Sequence, residues 1–410
     1  MKRGALFLIL ISALELACQG QQSQSSVIMR EALRQMGITV TEHNKVKLFF
    51  NGHDKFEDLF SHIRQAQKNI NLEYFNFRND SIASLTFDLL GEQVKKGVTV
   101  RAMFDAFGNS SNNQPLKKTH LKAIKEKGIE IVKFDPIRFP WINHVFNRDH
   151  RKIVVIDGRV GYTGGMNIAD YYVNGLEGIG AWHDIHMRIE GEAVKDLQDI
   201  FLRTWNKETK QQVGGADFYA PANPQAAMTT PIAIVDRTPR KTPSAIRKAY
   251  ASAIDAAEEH IQLINPYFVP THRVRKALKK AVKRGVNVEI MIPAKSDIGF
   301  TPDAAEYVAH KLMKRGANIY LFNGGFHHSK VMMVDHDFCT IGTANLNSRS
   351  LRYDYETNAF IFDPDVTREL TDLFAQDLQH CTKMTPAYWK EKSAWKKFVG
   401  WVGNLLTPVL

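Results

Sequence analysis

The sequence contains little cysteine, and its N-terminal apolar run is short. The 410 residues include three cysteines, none of which lies in a Cys/His cluster with the spacing of a zinc site. Cys339 lies in the apolar stretch FCTIG, which favours a buried small side chain over a reactive thiol. The apolar run over residues 5–14 is shorter than a typical membrane-spanning helix. The cysteine pattern therefore excludes a zinc-binding module, and the run's length argues against a typical spanning helix at this position.

The first residues predict export. Two basic residues precede the apolar run 5–14, and a small residue precedes Cys18, which is the order found in export signals. Cys18 and the polar residues 19–26 resemble the start of a bacterial lipoprotein, in which this cysteine is lipidated after cleavage. Glu15 stands where lipoproteins prefer an aliphatic residue, so cleavage without lipidation and an uncleaved anchor remain alternatives. We expect an exported, membrane-associated protein on the periplasmic face of a bacterial membrane.

The chain carries an excess of positive charge. Lysine and arginine number 54 against 43 acidic residues, which gives a formal net charge of +11. Such an excess favours an anionic partner, and phospholipid headgroups, nucleic acid and other phosphorylated substrates are all candidates. The charge alone is also compatible with a basic surface that binds none of them.

Two long segments repeat the same order of predicted elements. From about Val46, stretches with helical periodicity alternate with apolar strands, and the same order returns after about residue 225. This duplication predicts an α/β fold of two pseudo-twofold-related halves, each a mixed β-sheet flanked by helices. The predicted division is an export signal (1–17), a tether and lead-in (18–45), a first half (46–215), a second half (216–390) and a C-terminal amphipathic segment (391–410).

Each half carries the same polar motif at the mouth of an apolar strand. HRKIVVID and HSKVMMVD share the order His, any residue, Lys, four apolar residues and Asp. A glycine follows each aspartate after seven residues, and an asparagine follows after three more, in GGMN and GTAN. Repeated core positions would be apolar, so these polar repeats indicate one shared functional site. The repeated residues are His150, Lys152, Asp157, Asn167 and the later acid Asp184 in the first half, and His328, Lys330, Asp335, Asn345 and the later acid Glu356 in the second.

The paired motifs resemble the phospholipase D superfamily. The stretches FNRDHRKIVVIDGRVGYTGGMNIADYY and GTANLNSRSLRYDYETN are most similar to its bacterial cardiolipin synthase branch, and the resemblance covers nearly the whole chain after residue 45. It implies two phospholipase D-type halves and a phosphohistidine intermediate. It favours His150 as nucleophile and His328 as acid–base, although the residues alone do not distinguish the two.

The repeated residue types suit attack on a phosphodiester. Imidazole serves as nucleophile and proton carrier near neutral pH, while the motif lysines and asparagines supply donors to phosphoryl oxygens. The two later acids suit the orienting partner of each imidazole, by analogy with a catalytic triad. Strand alternation turns Asp157 and Asp335 away from the histidines, which favours a structural role for them within the motif. Ser348 and Arg349 either contact phosphate or brace the site. We expect no metal, because the lysines oppose cation binding, and no cofactor.

The C-terminal segment favours a lipid substrate. Its apolar residues follow helical spacing, with Lys396 and Lys397 near the start. Such a helix either lies in a membrane interface or docks on its own catalytic domain. We therefore expect phospholipids and a membrane surface as partners, with no obligatory nucleic acid, and the oligomeric state stays open.

The main hypothesis is a phosphatidyltransferase of cardiolipin synthase type. A phospholipase D that releases the headgroup to water is the close alternative. A nucleic-acid phosphodiesterase is less favoured, because the sequence shows neither a stacking platform nor a recognition helix. A non-catalytic membrane-binding protein is least favoured, because both sets of His, Lys and Asn are complete.

Overall fold

The computed structural model describes residues 23–136, 146–221 and 228–405. The predicted export signal and Cys18 lie outside the described residues. The elements up to residue 218 are α1 (Gln24–Gln35), β1 (Asn44–Phe49), α2 (Gly52–Gln65), β2 (Asn69–Tyr74), α3 (Ser81–Lys95), β3 (Thr99–Asp105), α4 (Ala106–Ser111), α5 (Lys118–Glu126), β4 (Glu130–Phe134), β5 (Ile153–Ile156), β6 (Val160–Gly164), α6 (Tyr171–Asn174), β7 (Trp182–His183), β8 (His186–Gly191), α7 (Val194–Thr209) and a short 3-10 helix (Ala216–Phe218).

The remaining elements belong to the second half and the C-terminal segment. They are β9 (Ile232–Arg237), α8 (Ala245–Ala256), β10 (His260–Ile264), α9 (His272–Arg284), β11 (Asn287–Pro293), α10 (Thr301–Met313), β12 (Asn318–Phe322), β13 (Phe326–His327), β14 (Val331–Val334), β15 (Phe338–Gly342), α11 (Ser348–Arg352), β16 (Glu356–Ile361), α12 (Pro364–Leu378), β17 (Cys381–Lys383), α13 (Pro386–Glu391) and α14 (Ala394–Leu405).

The two large sheets have the same topology. The first runs β1-β8-β6-β5-β2-β3-β4, and the second runs β9-β16-β15-β14-β10-β11-β12 with β17 added at its edge. In each sheet three successive strands run parallel, namely β2, β3 and β4 in the first and β10, β11 and β12 in the second. The motif strands β5 and β14 run antiparallel to β2 and β10 in equivalent places. The duplicated α/β fold predicted from the sequence is therefore confirmed.

The motif strands lie between two cores. Every residue of β5 is buried, as its β-branched composition predicts. Ile153 and Val155 face a core shared by the two sheets, while Val154 and Ile156 face the helices of their own half. In β14 the side chains alternate in the same way between the shared core and the second half's helices. Cys339 on β15 is also fully buried, as expected.

The described part of the lead-in is folded rather than flexible. The Ser23 hydroxyl accepts a hydrogen bond from the backbone N–H of Ser26 and caps α1. Met29 and Leu33 of this helix are fully buried in the core of the second half, and the helix packs on α8. Within the tether and lead-in predicted over residues 18–45, residues 24–35 form an amphipathic helix that buries its apolar side.

Candidate active site

The two motif histidines lie where the halves meet. The His150 backbone N–H donates to the carbonyl of Tyr355 at 3.0 Å, and the His328 N–H donates to the carbonyl of His183 at 2.7 Å. Glu356 directly follows Tyr355 in the sequence, and Asp184 directly follows His183. Each half therefore delivers its acid to the histidine of the other half.

Both imidazoles are held through Nδ1 by these exchanged acids. His150 Nδ1 lies 3.1 Å from Glu356 Oε1 and 3.1 Å from the carbonyl of Thr343. His328 Nδ1 lies 2.7 Å from Asp184 Oδ2. An acceptor at Nδ1 favours the tautomer with the proton there, so Nε2 of His150 is the ring nitrogen left for a substrate, while Nε2 of His328 lies 3.0 Å from Lys330 Nζ. The sequence indicated orienting acids but not their exchange between halves.

The acids are accommodated differently in the two halves. The Thr343 hydroxyl donates to Glu356. Gly165 occupies the matching position in the first half, and a Cβ there would stand 2.0 Å from Asp184 Oδ1. The glycine of GGMN is thus required by close approach of the carboxylate, whereas the second half uses a hydroxyl as a further donor.

The two motif lysines are buried beside the histidines. Lys152 Nζ donates to the His150 carbonyl at 2.7 Å, and Lys330 Nζ donates to the His328 carbonyl and lies 3.0 Å from His328 Nε2. Burial lowers the pKa of Lys152 to about 8 and that of Lys330 to about 7, although nearby carboxylates oppose the shift. An arriving phosphodiester anion would compensate both charges, so the lysines are suited to bind phosphate.

The same environment lowers the pKa of both imidazoles. Burial, and next the charge of Lys152, lowers the pKa of His150 to about 4. Burial and the charge of Lys330 lower the pKa of His328. A neutral imidazole has the free electron pair that a nucleophile needs, and a bound anion would raise the pKa of the other ring.

Both histidines line one cavity of about 570 Å³. Asn167 and Asn345 also line it, and they are only 4% and 6% exposed. Oδ1 of each asparagine lacks a hydrogen-bond partner among the described residues, so each side chain has an acceptor open to a ligand, while Nδ2 of Asn167 donates to the Tyr172 hydroxyl at 3.3 Å. Aromatic side chains complete much of the wall, namely Phe75, Phe107, Tyr171, Trp182, Tyr267 and Phe300.

The motif aspartates anchor turns. Asp157 has a positive φ of 53°, and its carboxylate accepts hydrogen bonds from the backbone N–H groups of residues 67–69. Asp335 has a φ of 49° and accepts from the N–H groups of residues 258–260. Each aspartate thus ties the turn after its motif strand to the start of the neighbouring strand, β2 or β10. This arrangement agrees with the outward orientation inferred from strand alternation.

Sequence reasoning missed the buried ion pairs around His150. Arg151 is fully buried and pairs with Glu73 at 3.3 Å and, across the halves, with Asp236. Arg148 is also fully buried and lies 2.9 Å from Asp135. The only signal in the sequence was the charged stretch RDHRK, and such stretches ordinarily lie on the solvent-exposed surface.

Of the two residues left undecided by the sequence, Arg349 lines the cavity and Ser348 is buried nearby. Arg349 Nε lies 3.2 Å from Asp354 Oδ2. Burial raises the pKa of Asp354 to about 7, against the opposing charge of Arg349. In residues 23–136, 146–221 and 228–405, no group of three or more His, Cys, Asp or Glu side chains is placed to hold a metal ion.

The C-terminal helix α14 has one docked face and one exposed face. Gly400 and Gly403 are buried against α10, where a Cβ would stand 2.4 Å from the Asp303 carbonyl or 2.7 Å from the Ala304 Cβ. On the other side, Trp395, Phe398 and Trp401 remain 70%, 51% and 43% exposed. Docking on the catalytic domain, one of the two alternatives, is therefore observed, but it leaves the aromatic side uncovered. Within the described ranges, none of the helices has both the length and the apolarity needed to span a bilayer.

Comparisons with known proteins find related sequences and a related fold. The sequence model of the family described as "Cardiolipin synthase, PLD-like domain" matches residues 59–205 and 250–378. A cardiolipin synthase of Listeria monocytogenes is 35% identical over 376 residues, which cover 91% of this chain and 77% of that protein. A cardiolipin synthase of Staphylococcus aureus is 34% identical over 373 residues, with coverages of 90% and 74%. The crystal structure of a phosphatidylserine synthase from Haemophilus influenzae has the same fold, with a TM-score of 0.71 at 13% identity over 93% of this chain and all of that one.

Proposed function

This chain belongs to the cardiolipin synthase family of phospholipase D-like proteins, and from that membership we propose how its residues perform the transfer. It is a phosphatidyltransferase of the cardiolipin synthase type. The observation that carries the mechanism is the exchange of Asp184 and Glu356 between halves, which gives two oriented histidines at one cavity. Neither half holds a complete site alone.

In the first step, Nε2 of neutral His150 attacks the phosphorus of a bound phospholipid. The bond from phosphorus to the headgroup oxygen breaks, and protonated His328 gives its Nε2 proton to the departing alcohol. The product is a phosphatidyl group on His150. Glu356 stabilises the positive charge that His150 gains, and the lysines and asparagines surround the phosphoryl oxygens.

In the second step, His328 removes the proton from the hydroxyl of a second phospholipid. The hydroxyl oxygen attacks phosphorus, the bond from phosphorus to His150 breaks, and both imidazoles return to their starting states. With phosphatidylglycerol as donor and acceptor, the products are cardiolipin and glycerol. Water in place of the lipid hydroxyl would give phosphatidic acid, the product of the hydrolytic alternative.

The direct test is incubation of the purified full chain with vesicles of labelled phosphatidylglycerol, followed by lipid separation. We expect cardiolipin and free glycerol in equal amounts, and no product with His150→Ala. Phosphatidic acid without cardiolipin would contradict the transferase and favour the hydrolase. Product formation on a phosphodiester of DNA but not on lipid would favour the nucleic-acid alternative.

We also propose that the exposed side of α14 rests on the bilayer that carries the substrates. Three aromatic side chains lie along it, with neighbouring rings 5.8 Å apart. Lys396 is exposed in the same helix, whereas Lys397 Nζ donates to the carbonyl of Lys390 at 3.0 Å. Ala304 of α10 both lines the catalytic cavity and packs against Gly403, so the helix lies beside the cavity. Aromatic rings at the acyl boundary and Lys396 at anionic headgroups suit this orientation.

Export and lipidation at Cys18 complete the proposed location. The order of basic, apolar and small residues before Cys18 supports this, and one lipid anchor with one interfacial helix would give two membrane attachments. Mass spectrometry of the mature N-terminus tests it, with a lipid-modified cysteine as the expected first residue. An unmodified N-terminus after cleavage would exclude lipidation without affecting the catalytic proposal.

A further inference from the structure

The catalytic cavity contains an acid that the transfer mechanism does not use. Asp297 lies in the loop between β11 and α10 and lines the cavity together with both catalytic histidines. The carboxylates that orient the imidazoles are Asp184 and Glu356, so Asp297 has no such task. A negative charge here repels a phosphodiester, which makes its presence in an anion-binding cavity unexpected.

Asp297 is held in place from two sides. The Tyr267 hydroxyl donates to its Oδ1 at 2.5 Å, and the Ser296 hydroxyl lies 3.0 Å from the same oxygen. The Tyr267 ring also meets the His328 ring edge-on, with centroids 6.1 Å apart. The acid is therefore fixed at the His328 end of the cavity. Its Oδ2 is not used in these hydrogen bonds.

The chemistry of the transfer identifies what occupies this end. In an in-line displacement, the departing or attacking alcohol lies opposite the nucleophile, so it lies beside His328 when His150 attacks. A carboxylate accepts hydrogen bonds and gives none, so it favours a ligand with hydroxyl groups to spare. Glycerol has such hydroxyls besides the one that reacts, whereas water and ethanol have none.

We propose that Asp297, positioned by Tyr267, is the subsite that recognises the glycerol headgroup of the departing and accepting phospholipid. The inference rests on the proposed function and deepens it, because it explains how the enzyme selects a polyol over water. The non-reacting hydroxyls donate to the carboxylate and hold the reacting oxygen near His328. Asp297 is a specificity residue in this scheme and exchanges no proton with the reacting oxygen.

The test uses competing soluble acceptors, glycerol and ethanol, with phosphatidylglycerol vesicles and the full-length chain. We expect wild type to favour phosphatidylglycerol exchange over phosphatidylethanol formation, and Asp297→Ala to reduce this ratio by about tenfold or more, since a hydrogen bond to a charged group is lost. Asp297→Asn retains an acceptor and should recover part of the ratio. Tyr267→Phe should lower the ratio in the same direction. The matched control is Asp372→Asn on the exposed side of α12, which should leave it unchanged.

Isotope-labelled glycerol reports exchange, so the ratio is measurable even if no cardiolipin forms. A wild type that makes no cardiolipin but shows the Asp297-dependent ratio would overturn the proposed transfer to phosphatidylglycerol and support the subsite. An unchanged ratio in Asp297→Ala would overturn the subsite whether or not cardiolipin forms. Ethanolamine as a third acceptor separates hydroxyl recognition from charge: loss of ethanolamine use alone would overturn the glycerol assignment in favour of an ammonium site.

Discussion

The Nδ1 atom of His150 lies 3.1 Å from Oε1 of Glu356, although 206 positions separate the two residues in the chain. The reciprocal pair, His328 and Asp184, is 144 positions apart and 2.7 Å in space. The two halves thus share one site by exchanging their acids. In the proposed mechanism, packing of the halves is a condition of activity, because separation would remove the partner of each imidazole.

The first prediction concerns the exchanged acid. Glu356→Gln should lower kcat by about 10³- to 10⁴-fold with little change in binding, because an amide allows the wrong imidazole tautomer and stabilises no imidazolium. Steady-state kinetics on a soluble phosphodiester measure this, and Glu92→Gln on the exposed side of α3 is the matched control. Thr343→Val should have a smaller effect, and its effect should not add to that of Glu356→Gln, because its hydroxyl acts on the same carboxylate. Near-normal kcat in Glu356→Gln would refute the orienting role.

The second prediction separates the two histidines. With a nitrophenyl phosphodiester, whose leaving group needs no proton, His328→Asn should accumulate a phosphorylated intermediate on His150. Mass spectrometry of rapidly quenched protein should find the added mass on the peptide that contains His150. His150→Asn should give no such adduct. An adduct on His328 in that variant would reverse the assigned roles.

The third prediction is a bell-shaped pH dependence of kcat/KM. His150 must be unprotonated to attack, so the rate should rise with pH through its pKa of about 4. Lys330 and Lys152 must be protonated to attract phosphate, and they lose that charge as pH rises through about 7 and 8. His328 must be protonated to act as the acid, and burial lowers its pKa below the ordinary imidazole value. Activity on a soluble substrate should therefore begin to fall with the loss of that proton, and fall further as the lysines lose their charge. A flat profile from pH 6 to 9 would contradict the role of the lysine charges.

The fourth prediction tests Asp157 as a structural residue. Asp157→Ala should lower the free energy of unfolding by about 2–4 kcal/mol, because three backbone N–H groups lose their acceptor and the positive φ disfavours alanine. Asp335→Ala should behave alike. Denaturant unfolding measures both, with Asp88→Ala, at an exposed pair with Lys127, as the control of small effect. Full stability with complete loss of turnover would instead show that Asp157 takes part in catalysis.

The fifth prediction concerns α14. Replacing Trp395, Phe398 and Trp401 together by serine should weaken binding to anionic vesicles by at least about tenfold, because three exposed aromatic rings that would enter the membrane interface are lost. Sedimentation with vesicles measures the affinity, and activity on a soluble phosphodiester should be retained. Leu85→Ser, at another exposed apolar side chain, is the control. Unchanged vesicle binding would leave the aromatic side without a membrane role.

The sequence was sufficient to predict the duplicated fold and the polar motif, because both depend on local patterns. Apolar runs bounded by glycines give strands, and repeated spacing reveals two copies of one unit. Strand alternation also predicts that Asp157 faces away from His150, since side-chain direction changes sides at each residue. These features follow from the backbone geometry of short segments and need no knowledge of distant contacts.

Only the tertiary structure decided which residues meet. The exchange of Asp184 and Glu356 follows from packing two sheets against each other, and nothing within either half encodes the partner. The same packing buries Arg151 against Asp236 of the other half and brings Asp297 from a loop to the His328 end of the cavity. Spacing along a strand predicts the face of the sheet on which a side chain lies. The contacts across that face are set by long-range packing, which no local pattern in the sequence specifies.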